Sequence, residues 1–246
     1  MRDYVGWRAR IGLVYMASSI VMEPEFYAMA PEGVSIHTAR IHLPAATEAG
    51  LREMMEGGPL EDASTLLGHC PLDSAVFGGT SASFLDGGTY DGTVIARMKA
   101  RMGGGLPVTT SSTASAAALS ALGAKKITFT GPYNADVTAR GRRFFEDRGF
   151  EVLDAFGLGI ESDHGIGDVP LEEVYRFVKK VAVAGSDAVF ISCTNFRTVG
   201  ALAALEEDLG IPVVSSIQAS FWHGLRLAGV RDRVTGFGSL FDVTEV

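Results

Sequence analysis

Short apolar runs alternate along this chain with longer segments of helical period. Residues 11–16, 34–43, 74–77 and 107–109 read as strands. Helical period covers residues 45–57, the region of Thr65, and residues 93–102 and 113–122. The pattern then restarts, with strands expected over 126–130, 150–153, 188–191 and 212–214. The helices of this second part are expected over 137–148, 170–184, 199–209 and 219–228, with Gly149 closing the first and Pro170 in the first turn of the next. Such alternation predicts an α/β protein whose parallel sheets are covered on both faces. Ligands of open parallel sheets bind beyond the carboxyl ends of the strands. The polar segments Ser18-Ser19, Gly79-Thr80-Ser81, Tyr133-Asn134 and Cys193-Thr194-Asn195 all fall at such ends.

The restart is also visible residue by residue. Ala75-Val76-Phe77-Gly78-Gly79-Thr80-Ser81 matches Ala188-Val189-Phe190-Ile191-Ser192-Cys193-Thr194-Asn195 if the second loop carries one extra residue. Cys193 then takes the place of Gly79, at a spacing of 193 − 79 = 114 residues. Gly105-Leu106-Pro107-Val108-Thr109-Thr110-Ser111 likewise matches Gly210-Ile211-Pro212-Val213-Val214-Ser215-Ser216. Two blocks in the same order indicate two halves of one architecture rather than a solenoid, whose repeats are shorter. No Pro/Ser-rich linker separates the halves, so two lobes with a shared cleft are expected. The last helix and tail should pack back onto the first lobe, giving lobes of residues 1–112 plus 218–246 and of residues 113–217.

Composition narrows the function. The hydrophobic fraction of 47% and charged fraction of 20% are those of an ordinary globular protein. The net charge of −8 comes from dispersed acids, and no basic patch offers a nucleic-acid surface. No apolar run reaches the roughly 18 residues of a membrane span. The start, Met1-Arg2-Asp3-Tyr4-Val5-Gly6-Trp7-Arg8, has no signal-peptide core, so a cytoplasmic location is expected. Cys70 and Cys193, far apart, fit a reducing compartment better than a disulfide. No His/Cys cluster has metal-ligand spacing, and the histidines read as structural or surface residues. His37 and His42, on one expected strand, should point to opposite faces. No glycine precedes a lysine, Gly103-Gly104-Gly105 leads into a strand, and Gly157-Leu158-Gly159 has Ser162 where a dinucleotide loop needs its third glycine. No cofactor is expected.

The chemistry then rests on the loops. Thr80 and Ser81 in one half, and Thr194 and Asn195 in the other, would offer hydroxyls and backbone N–H groups to one anion, a carboxylate or an enediolate. One such loop reads equally well as a helix cap; two matched loops beside a cysteine read as a site. Cys193 reads either as a buried small hydrophobe or as the acid–base or covalent group. A helix beginning just after it would lower its pKa and favour proton exchange near neutral pH. Cys70 precedes its strand, at the wrong end for the cleft, and reads as structural.

These residues resemble the aspartate/glutamate racemase superfamily, in the branch that holds arylmalonate decarboxylase and maleate cis-trans isomerase. The resemblance spans nearly the whole chain: Met22-Glu23-Pro24-Glu25-Phe26, Ala30-Pro31-Glu32-Gly33-Val34, the two loops, Pro132-Tyr133, Val213-Val214-Ser215-Ser216 and Gly236-Phe237-Gly238. It implies two Rossmann-like lobes related by pseudo-two-fold symmetry, an active site between them, no cofactor and a small carboxylic-acid substrate. Racemases and maleate isomerases of this kind use a cysteine in each lobe; Gly79 in the first position looks like the decarboxylase. By that resemblance Thr80, Ser81, Tyr133 and the amides near Ser81, Cys193 and Thr194 would stabilise an enediolate, and Cys193 would protonate one face. The isomerase pattern has Asn near Ser19 and near Asp163, where this chain has none, and a carboxylate at Asp163 would repel a dicarboxylate if it faced the cleft. The decarboxylase's Pro-rich first loop is replaced by Tyr15-Met16-Ala17, yet Cys193-Thr194-Asn195 looks isomerase-like. The leading expectation is a decarboxylase of an α-substituted malonate. The alternatives are a maleate-type isomerase or related racemase and, with less support in a chain lacking a signal peptide, a non-catalytic two-lobed binder of small acids.

Overall fold

Central strands that are apolar on both faces require cover on both sides. In the computed structural model, which describes residues 5–45 and 47–245, β1 (Ala9–Met16) is buried at every position except Arg10. Residues 1–4, 46 and 246 lie outside the described residues, and with them part of the N-terminal stretch, one position of the helix expected over 45–57 and the final residue. After β1 come α1 (Met22–Met29), β2 (Val34–Ile41), α2 (Glu48–Glu56), α3 (Pro59–Leu67), β3 (Ser74–Gly78), α4 (Thr80–Ser83), α5 (Tyr90–Met102), β4 (Val108–Thr110) and α6 (Ser111–Ala121). The second half runs β5 (Lys126–Gly131), α7 (Ala135–Asp147), β6 (Glu151–Gly157), α8 (Asp163–Asp168), α9 (Leu171–Val181), β7 (Ala188–Ile191), α10 (Leu202–Leu209), β8 (Val213–Ser215) and α11 (Ser216–Leu227).

The strands form two parallel four-stranded sheets, ordered β2-β1-β3-β4 and β6-β5-β7-β8. Equivalent strands hold equivalent places, so the repeat read in the sequence is a repeat in space. In each sheet the winding reverses between the first and third strands, the crevice where doubly wound sheets bind ligands. The loops after β1, β3, β5 and β7 border these two crevices.

Several boundaries differ from the periodicity, each for a local reason. The strand expected over 34–43 stops at Ile41, because its neighbour β1 ends opposite it, at Met16. His42 therefore lies beyond the alternation, and His37 and His42 line one surface groove rather than opposite faces. β6 extends past residue 153 because β5 keeps pairing with it to Gly131–Gly157. The helix expected from 45 starts at Glu48, where the Thr47 hydroxyl accepts the Gly50 N–H. Pro170 occupies the N-cap of α9, one place before the expected first turn. The segment 199–209 opens as a 3-10 turn, Val199–Ala201, before α10. The helices α1, α4 and α8 escape the period search because they have only 8, 4 and 6 residues. β4 and β8 run directly into α6 and α11, with the Thr110 and Ser215 side chains capping the two helices.

α11 is buried from Ser216 to Arg226 and packs on β1, β3 and β4 as well as on α6. Ser74 Oγ donates to the Gly224 carbonyl at 2.8 Å, and Thr109 Oγ1 is hydrogen-bonded to His223 Nδ1 at 2.8 Å. Ser220 Oγ donates to Ser111 Oγ at 2.9 Å, joining α11 to α6. The buried Arg226 guanidinium donates to the carbonyls of Val230, Asp232 and Val243, which ties the tail to this helix.

Candidate active site

The two copies of the repeated motif meet. Thr194 Oγ1, after β7, donates to the Gly78 carbonyl at the end of β3 at 2.8 Å. Cys193 has φ +98°, the one positive φ outside glycine among the described residues. That backbone costs an ordinary residue about 1–2 kcal/mol and persists because its surroundings hold it. The Cys193 N–H donates to Ser216 Oγ at 3.2 Å, and the Asn195 N–H donates to Cys193 Sγ at 3.4 Å.

Between these loops lies a cavity of about 30 Å³. Met16 and Ser19 reach it from the β1 end, and Gly79, Thr80 and Ser81 from β3. Tyr133 reaches it from β5, Asp163 from the start of α8, and Cys193, Thr194 and Asn195 from β7. All ten residues singled out in the sequence therefore share one cavity. Four others line it: Leu43, Leu51, Ala82 and Ile166. Leu51 belongs to the ordinary apolar stripe of α2, and Ile166 to a helix too short to show a period, so no local signal marks either. A wider groove of about 750 Å³ runs over β2 and α3 and contains Cys70, but none of the loop residues. Its Arg40 and Glu23 are already paired at 2.6 Å.

Thr80 Oγ1 is buried in the cavity wall with no hydrogen-bond partner. Such an orphan costs about 1–3 kcal/mol, which an anion accepting from it would offset. Thr80→Val should therefore leave the melting temperature unchanged or slightly raised, while weakening small-carboxylate binding about tenfold, the loss of one charge-assisted hydrogen bond. Calorimetric titration beside a melting curve checks both halves of that expectation.

Two side chains expected to hold the anion are committed elsewhere. The Thr194 hydroxyl is tied to Gly78. Asn195 Oδ1 accepts the Ile20 N–H at 2.9 Å, and its Nδ2 donates to the Asp163 carbonyl at 2.7 Å. Both position the loops. Asp163 faces the cavity, with its Oδ2 accepting from Ser18 Oγ at 2.6 Å and Ser19 Oγ at 3.0 Å.

The expected lowering of the thiol pKa is also corrected. No helix begins at Cys193; the next helical residue is Val199. Burial pushes the thiol up to about 12, against the Asn195 N–H and with the Asp163 charge adding to the rise. Burial likewise holds the Tyr133 hydroxyl well above its ordinary range, and the neighbouring Cys193 adds to this; its oxygen is hydrogen-bonded to Ser192 Oγ at 3.2 Å. Both groups keep their protons at neutral pH and can donate them.

A two-lobed α/β fold thus brings a buried thiol together with hydroxyl and N–H donors between matching loops. Over residues 11–241 the chain matches the family model described as arylmalonate decarboxylase, and it belongs to that family. It is similar to the arylmalonate decarboxylase of Bordetella bronchiseptica, 34% identical over 167 residues, which are 67% of this chain and 69% of that protein. It is also similar to the maleate isomerase of Geobacillus stearothermophilus, 27% identical over 243 residues, which are 94% of this chain and 96% of that one. A mutant of arylmalonate decarboxylase solved in its liganded form has the same fold, with TM-score 0.87 at 27% identity, covering 95% of this chain and 99% of that one. The relatives are enzymes of two kinds, a decarboxylase and an isomerase.

Proposed function

We propose that the protein decarboxylates an α-substituted malonate, aryl- or alkenyl-, and protonates the product on one face. The observation that carries this reading is the one-sided acid: a buried thiol at Cys193, with Gly79 at the matching place in the other loop. In this mechanism one carboxylate accepts from the Thr80 and Ser81 hydroxyls, the Tyr133 hydroxyl and the neighbouring N–H groups. The other lies against Met16, Leu43, Leu51 and Ile166, where its charge is poorly solvated. Its C–C bond breaks and carbon dioxide leaves. The bonding pair passes into the retained carboxylate as an enediolate, held by the donors. Cys193 Sγ–H protonates the α-carbon, and the thiolate regains its proton from water. These side chains supply the whole reaction, and no cofactor is called on. Turnover of an arylmalonate in D2O should release carbon dioxide and give one deuterated enantiomer. Racemic product, or no carbon dioxide, would sink the reading.

Similarity along the full chain to a maleate isomerase favours a second reading, in which Cys193 adds to maleate as a thiolate. The raised thiol pKa and the Asp163 carboxylate in the cavity wall count against it. Fumarate from maleate, with a mass adduct on Cys193, would put it in place of the first.

A further inference from the structure

The proposed reaction draws on hydrogen-bond donors: the Thr80 and Tyr133 hydroxyls, the Cys193 thiol and the Thr194 N–H. Asp163 is of opposite character. A carboxylate is an acceptor only, and Ser18 and Ser19 both donate to it, through Oδ2. Its own main-chain carbonyl is held by Asn195 Nδ2, whose Oδ1 is in turn fixed by the Ile20 N–H. Asp163 is thus anchored to the β1 loop through its carboxylate and to the β7 loop through its main chain, and it lines the same cavity as the thiol. Its charge is felt there, adding to the rise in pKa of both Cys193 and Tyr133. The cavity therefore has two poles, a donor pole that suits a carboxylate and an acceptor pole that repels one.

We propose that Asp163 determines substrate specificity: it keeps a carboxylate away from its side of the cavity and accepts a hydrogen bond from a hydroxyl or ammonium group on the substrate's α-substituent. This rests on reading the cavity as the carboxylate site of the proposed decarboxylase. The substrate class is accordingly a malonate whose substituent carries a donor, as a hydroxyaryl group does, rather than a plain aryl group. A substrate hydroxyl reaching Asp163 adds a charge-assisted hydrogen bond that the analogue lacking it cannot make.

The test is calorimetric binding of phenylacetate, the three ring-hydroxylated phenylacetates and maleate to the wild type, Asp163→Asn and Asp163→Val. A hydrogen bond to a charged group corresponds to roughly 10- to 100-fold in affinity. The wild type should bind at least one hydroxyphenylacetate about tenfold or more tighter than phenylacetate, and maleate more weakly than either. Asp163→Val should lose the hydroxyl preference, and Asp163→Asn should gain maleate binding by about tenfold or more. Equal binding of the matched phenylacetates by the wild type, no gain of maleate in Asp163→Asn, or no binding of any of these acids overturns the proposal. The wild-type ranking stands alone if a variant fails to fold. Carbon dioxide release from the corresponding malonates, measured in parallel, separates the two readings. A hydroxyl preference without decarboxylation defeats only the proposed reaction, and decarboxylation without that preference defeats only the role of Asp163.

Discussion

Cys193→Ser is expected to lower kcat for malonate decarboxylation by about 10²- to 10⁴-fold, the range contributed by a positioned general acid, with KM little changed. The thiol touches the reacting carbon in the proposed mechanism, whereas the retained carboxylate is held by other groups, so the loss should fall on the chemical step. Serine keeps the shape of the side chain but is a far poorer acid. The pH profile supplies a second readout. The active form is the protonated thiol, so activity is lost as pH rises through its pKa. Burial raises that pKa to about 12, above the ordinary thiol value of about 8.5. The alkaline limb assigned to Cys193 should therefore lie well above the ordinary thiol range and be missing from Cys193→Ser. A serine variant within about tenfold of wild-type kcat would remove the thiol from the role of acid.

Gly79→Cys should convert a one-faced reaction into a two-faced one. The Thr194–Gly78 hydrogen bond brings the two loops together, so a thiol at 79 would share the cavity with Cys193. Proton removal by one cysteine as its thiolate, and delivery by the other as its thiol, would exchange and racemise the α-proton of an enantiopure arylacetate product. The wild type should do so at least about 10²-fold more slowly. The backbone at Gly79, with φ −135°, accepts a side chain. Space is the obstacle: a Cβ there would lie 2.7 Å from Met16 Cε and 2.8 Å from two atoms of the Phe77 ring. Met16 can swing its terminal methyl aside, whereas the Phe77 ring is fully buried. Overpacking of this kind costs about 1–3 kcal/mol, or roughly 2–12 °C in melting temperature for a domain of this size. Gly79→Ala, which carries the packing penalty without the thiol, is the control. Exchange in the alanine variant, or none in the cysteine variant at a temperature where it is folded, would mean that the loops do not present two acids to one substrate.

Much of the architecture was legible because it is written in local pattern. The buried strands β3, β5 and β7 stand out as apolar runs, and the matched blocks around Gly79 and Cys193 place the two sheets in register with one another. The short helices α1, α4 and α8 were not legible, since one or two turns carry no period. The extension of β6 and the early end of β2 were not either, since pairing with a neighbour sets them. The residues of the loops after β1, β3, β5 and β7 could be named because they follow strands that flank the winding reversal, whereas Asp163, after the edge strand β6, was reached only through the family resemblance. Their tasks could not be told apart, and Thr194 and Asn195 show why: nothing in Cys193-Thr194-Asn195 says that both side chains are engaged by partners 116 and 175 positions away.

Period and repeat were enough to set the fold class and to place a single thiol among matched loops, because each is a property of neighbouring residues or of two segments compared directly. Three further properties arose only once distant segments met in space. The thiol is held protonated, because burial outweighs the few N–H groups that favour its charge. The Thr80 hydroxyl is left without a partner, because no acceptor or donor of the folded chain reaches it. Asp163 is turned into the cavity, because Ser18 and Ser19 donate to its side chain across 145 and 144 positions while Asn195 holds its carbonyl from the facing loop.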